Sequence, residues 1–181
     1  MNKLLSDDDI LSNVMLKAKA PARPRPKTRR RTRQLIEWKV RGFGPKARVM
    51  TSFGQLPVEA LRRNDPVKTS TGDFLKVAWV DSFGLDSDFL TLQPQAQPML
   101  IPAATFGPNR PEKDVLISPA QTLHISPTLG TGAVKAASEL TGWGRIARNT
   151  QNAFTYHVFG FEKDCTVCIE GLWCDIPAQK S

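Results

Sequence analysis

Residues 42 to 69 read GFGPKARVMTSFGQLPVEALRRNDPVKT, and residues 156 to 173 read YHVFGFEKDCTVCIEGLW. In the first stretch, RVMTS (48–52) is a short β-branched run between Gly44-Pro45 and Gly54, the punctuation of a strand entering a hairpin. A brief helical turn is expected over 57–63. In the second stretch, TYHVFGF (155–161) and CTVCIEGLW (165–173) have the same strand character. Working outward, it recurs at LIEWKV (35–40), FLKVAWV (74–80), DFLTLQ (88–93), DVLIS (114–118) and TLHIS (122–126). Turn formers such as Thr71-Gly72-Asp73 and Gly107-Pro108-Asn109 fill the gaps. Short strands at this spacing predict a mainly β domain, with a second helical turn over 133–140.

The 181 residues carry a net charge of +8, unevenly placed. Nine Lys and Arg and no acid lie between Lys17 and Arg33, which leaves the rest of the chain near neutrality. Three regions follow. Residues 1–19 hold a short helix, with Ser6 as a cap and Ile10, Leu11, Val14 and Met15 on one face. Residues 20–34 are expected to form an extended, disordered basic linker, because proline removes backbone donors and the arginines repel one another. Residues 35–178 form the folded domain. Any affinity for nucleic acid or an acidic protein partner belongs to Arg23, Arg25, Lys27, Arg29, Arg30, Arg31 and Arg33. Phosphate contacts there would make binding fall steeply with salt. No aromatic residue is interleaved among them, so base stacking is not expected. Trp79, Trp143 and Trp173 read as packing residues.

Cys165, Cys168 and Cys174 are three in number and clustered, which is no disulfide framework and suggests a reducing, cytoplasmic setting. The amino-terminal residues lack the apolar stretch of a signal peptide, and no run approaches a membrane span. Cys165-x-x-Cys168 raises the question of zinc. Positions three apart on a strand face opposite ways, whereas Cys168 and Cys174 read as sharing a face. The three are therefore expected to act as small apolar residues, with no metal and no cofactor.

The two quoted stretches resemble the hedgehog/intein (Hint) superfamily, in its bacterial branch. The family opens on a nucleophile, Phe, a Pro/Gly turn, a β-branched residue, Thr and Gly, then "V-E-x-L", "G-D" and "V-x-T". Here Phe43, Pro45, Val49, Thr51 and Gly54 hold the first part. Val58, Glu59, Leu61, Asn64, Asp65, Val67 and Thr69 hold the second. The central motif, similar to "D-L-L-V-S-P-x-H", corresponds to residues 114–121. The closing motif, similar to "Y-x-H-L-x-x-D-x-H-x-V-x-x-x-E-G", is met at Tyr156, Glu162, Val167, Glu170 and Gly171. The resemblance spans residues 36 to 176 and implies a Hint-type β fold.

It also implies self-cleavage: a thiol or hydroxyl attacks the preceding carbonyl, and histidines protonate the departing amide nitrogen. The chain departs from this at each position. Gly42 stands for the nucleophile, Gln121 for the central histidine, and Val158 and Asp164 for the closing histidines. A neutral amide cannot shuttle a proton. His157 and His124 sit at the wrong strand parity to substitute, and a loop aspartate such as Asp164 is usually a turn or cap residue. The chain also runs to Ser181 without the asparagine and flanking nucleophile of a splicing domain. The expectation is a degenerate Hint domain acting as a structural or binding module, without enzymatic activity. Two alternatives stand beside it: autoproteolysis at Arg41-Gly42 with Cys165 as substitute nucleophile, and a cysteine-based metal module.

Overall fold

A computed structural model describes residues 35–126 and 132–178. The expected helix within 1–19, the 20–34 linker and its seven candidate binding cations lie outside the described residues. Within them the chain forms thirteen strands and one α-helix. The strands are β1 (Arg48–Thr51), β2 (Gly54–Pro57), β3 (Pro66–Lys68), β4 (Phe74–Lys76), β5 (Trp79–Leu85), β6 (Met99–Ile101), β7 (Val115–Ile117), β8 (Thr122–His124), β9 (Val134–Ala136), β10 (Ala147–Arg148), β11 (Phe154–Gly160), β12 (Cys165–Ile169) and β13 (Leu172–Ile176). The helix, α1, spans Ser87–Leu92. Among the described residues, no helix is long and apolar enough to cross a membrane.

The largest sheet runs β4-β3-β1-β12-β13-β8-β9, with β2 also paired to β1. A second runs β10-β6-β7, and β11 and β5 form a long two-stranded ribbon. All pairings are antiparallel, so each strand can bury alternate residues. β1 does this with Val49 and Thr51, and β12 with Val167 and Ile169. Val49, Val167 and Ile169, with Val67, Leu123, Leu172 and Cys174, belong to the main core. A separate aromatic cluster gathers Leu90, Ala96, Phe154 and Tyr156, with Trp38, Phe83 and Phe89 packed against it.

Several sequence expectations need correction. Residues 88–93 form most of α1 rather than a strand. The Asp86 carboxylate accepts the Phe89 N–H at 2.8 Å and starts the helix, and this cap overrides the Phe-Leu-Thr-Leu alternation. Residues 35–40 form no strand, and the backbone of Ile36 and Val40 bonds to side chains of Gln93, Gln95 and Ser118 rather than to a neighbouring strand. The 165–173 segment is not one strand but β12, a turn and β13. In this two-residue hairpin Val167 pairs with Cys174 and Cys168 with Trp173. Residues of opposite number parity therefore share a face. Cys174 lies on the core face with Val167, and Cys168 lies on the other, the reverse of the expected sharing. The expected helical turns are 3-10 turns at Val58–Ala60 and Ala137–Leu140.

Candidate functional site

Residues 42–44 are stitched between two strands by backbone bonds. Phe43 N donates to His157 O at 3.0 Å, His157 N to Phe43 O at 2.8 Å, and Gly44 N to Leu116 O at 2.7 Å. Ser118 N donates to Gly42 O at 2.9 Å. This stitching fixes where a side chain at position 42 would go. A Cβ built on Gly42 meets Val158 Cγ1 at 2.9 Å and His157 O at 3.2 Å, closer than unstrained carbon contacts allow. Any side chain on residue 42 would therefore start against this Val158 methyl group.

Gly42, Val158 and Gln121 line one open cleft of about 820 Å³, with Trp79, Phe159 and Ile176 among its other walls. Gln121 is fully buried, and its amide NH₂ donates to Asp175 O at 3.0 Å and Thr122 O at 3.2 Å. Two carbonyl acceptors fix the amide's orientation, since the flipped oxygen would face both. Its Oε1 is buried with no hydrogen-bond partner among the described residues. The ionisable side chains in the cleft lining are Lys39 and Arg41, and no histidine or carboxylate is among them.

The remaining candidates lie elsewhere. Asp164 Oδ1 accepts the Ala178 N–H at 2.6 Å. Cys165 shares a neighbouring depression with Arg41, Asp164 and Asp175. Burial pushes its thiol up to about 12, only partly opposed by Lys163. His124 Nε2 is bound to Asp175 Oδ1 at 2.7 Å, and the Thr166 hydroxyl donates to the same oxygen. His157 contributes its backbone to the stitching. Among the described residues, no three His, Cys, Asp or Glu side chains gather closely enough to hold a metal ion.

Two features were not anticipated. Trp38 sits in the aromatic cluster with its indole N–H donating to Ser118 Oγ at 3.0 Å. The Ser118 hydroxyl in turn donates to Val40 O. The serine of the central motif was a visible signal, but its partners depend on tertiary register. Secondly, the Arg48 guanidinium makes a two-pronged bond to the buried Glu170 carboxylate, at 2.7 and 2.6 Å. Arg48 also reaches Glu112 at 3.1 Å.

Fold and cleft together describe a mainly β domain whose opening segment is clamped between strands beside a pocket built from its middle and closing segments. A family model for the Hint domain matches residues 41–176, and the chain belongs to that family. No curated protein matches the chain. Among solved structures it is similar to the gp41-1 intein, at TM-score 0.49 and 11% identity over 75% of this chain and 98% of that one. It is also similar to the MchDnaB-1 intein, at 0.47 and 9% over 74% and 98%. A splice-inactive variant of the AceL NrdHF class 3 split intein gives 0.46 and 15% over 77% and 99%.

Proposed function

We propose that this Hint domain is catalytically silent and serves as a structural or binding module, its basic segment contacting nucleic acid or an acidic partner. The observation that carries the reading is the Gly42–Val158 contact. Position 42 has no attacking atom, and a Cβ that could carry one would stand 2.9 Å from a methyl group of Val158. The supporting observation is Gln121, whose amide N–H groups are committed to two carbonyls and which carries no transferable proton.

The competing reading is autoproteolysis at Arg41-Gly42 by Cys165. Its shared depression with Arg41 favours that reading. A thiol pushed up to about 12 opposes it, since the thiolate is the nucleophile and is scarce at neutral pH. Metal binding by the three cysteines is weaker still, with Cys168 on the face opposite Cys174.

Intact mass after overnight incubation with dithiothreitol separates the first two readings. Silence predicts an unchanged full-length mass. A fragment beginning at Gly42 that disappears in Cys165→Ala would establish autoproteolysis instead. Metal analysis of the purified protein tests the third reading. For the basic segment, binding to a labelled oligonucleotide and to an acidic peptide should be titrated against salt. A log-log slope of roughly −0.9 per phosphate contact is expected for duplex DNA.

A further inference from the structure

Residues 35–41 cross the body without regular secondary structure. Among the described residues, backbone-to-backbone pairing of the chain with the body begins only at Gly42. Before that point the segment is held by side chains. Gln93 Oε1 accepts the Ile36 N–H at 3.0 Å, Gln95 Nε2 donates to Ile36 O, and Ser118 holds both Val40 O and the Trp38 indole. Leu35, Ile36 and Val40 are apolar yet 60%, 45% and 40% exposed. The main apolar anchor is therefore one indole ring.

That ring lies against Phe83, Phe89 and Tyr156, at centroid distances of 6.2, 6.3 and 5.9 Å. The walls are held without it. The Tyr156 hydroxyl donates to Ala96 O at 2.9 Å, its ring packs edge-on to Phe154 at 4.7 Å, and Phe83 lies 5.6 Å from it. The same segment also supplies Lys39, Val40 and Arg41 to the wall of the cleft.

We propose that the pocket walled by Phe83, Phe89 and Tyr156 is an indole-receiving site that the chain fills with its own Trp38. Residues 35–41 are then a releasable strap whose departure opens the cleft. Release breaks no strand ladder, because the ladder starts at residues 42–44, and water can replace the side-chain bonds to Ile36 and Val40. The exposed Glu37–Lys39 ion pair adds little to hold the strap. The vacated site suits a flat aromatic ring with one N–H for the Ser118 hydroxyl.

The test uses the full-length chain, trypsin under native conditions, and mass readout of cleavage after Lys39 and Arg41, beside thermal melts. Trp38→Ala should raise both cleavage rates by about tenfold or more, since cleavage tracks the locally open population, while the body still melts cooperatively. Trp38→Phe, which keeps a ring but loses the Ser118 bond, should fall between. Free indole should raise the melting temperature of Trp38→Ala and leave the parent unmoved. The proposal is overturned if Trp38→Ala does not fold, or if Lys39 and Arg41 are cut only in step with sites inside the body. It is equally overturned if indole shifts neither protein or both alike.

Discussion

Gly42 and Val158 are complementary in shape as well as adjacent in space. The Val158 methyl lies 2.9 Å from where a Cβ on residue 42 would be, too close for carbon atoms, so even the smallest side chain there must shift Val158 or the backbone beside it. Gly42→Ala is expected to destabilise the domain by about 1–3 kcal/mol in urea unfolding, the usual cost of overpacking. Val158→Ala on that background should recover most of the loss, giving a favourable coupling in a double-mutant cycle. A Gly42→Ala protein as stable as its parent would show that Val158 does not crowd that position. Restoring a nucleophile therefore takes at least two changes, and Gly42→Cys alone should remain full-length and be less stable.

At the scale of elements, the β12–β13 hairpin shows how a turn is enforced. Glu170 and Gly171 have φ of +50° and +82°, as a tight primed turn demands. Gly171 also faces Asn109 O, so no Cβ fits there. Glu170 is not a residue that favours this backbone. It is held by Arg48, both through its carboxylate and through its N–H donating to Arg48 O at 3.0 Å. Arg48→Ala would leave the buried carboxylate without a counter-ion, keeping only the backbone N–H of residue 48, and should cost up to about 3 kcal/mol, the low end for a broken buried pair. Glu170→Ala should cost less, because Arg48 is partly exposed and keeps Glu112, while Glu112→Ala should stay within about 1 kcal/mol. Denaturant melts that reverse this order would contradict the account. The strands around Val49, Val167 and Ile117 were legible because β-branched residues alternate between clear turn signals. Residues 35–40 carry the same composition yet form no strand, since composition cannot reveal that side chains of Gln93, Gln95 and Ser118 take up their backbone groups. The strand expected over 88–93 rested on a four-residue alternation alone, which carries no information about the Asp86 cap that starts the helix. Gly42, Gln121 and Val158 were found through family motifs. The fit of Val158 against Gly42 and the seating of Trp38 against Ser118 were hidden, because both arise from pairing across strands rather than from spacing along the chain.

For the whole molecule, burial sets the response to alkali. It raises the thiols of Cys168 and Cys174 and the Tyr156 phenol, and pushes Cys165 up to about 12. The unfolded chain releases the thiol protons from about pH 9, so above that point it binds fewer protons than the folded domain. The stabilisation is complete below that range and is lost as pH rises toward the folded values. The urea midpoint should be flat between about pH 7 and 8 and fall between about pH 9 and 11, less steeply in Cys165→Ala. A midpoint unchanged at pH 11 would rule this out. The order of strands in the main sheet also has a consequence in time. Val49 of β1 pairs with Ile169 of β12, roughly 120 residues later, and such distant pairings make folding slow. During synthesis β1 waits with one side unpaired while nearly the whole domain is made. A chain interrupted before β12 lacks the centre of its sheet and leaves an apolar edge open to aggregation. Completion of the closing segment thus acts as a length check, since only a chain translated through β12 can pair both sides of its first strand.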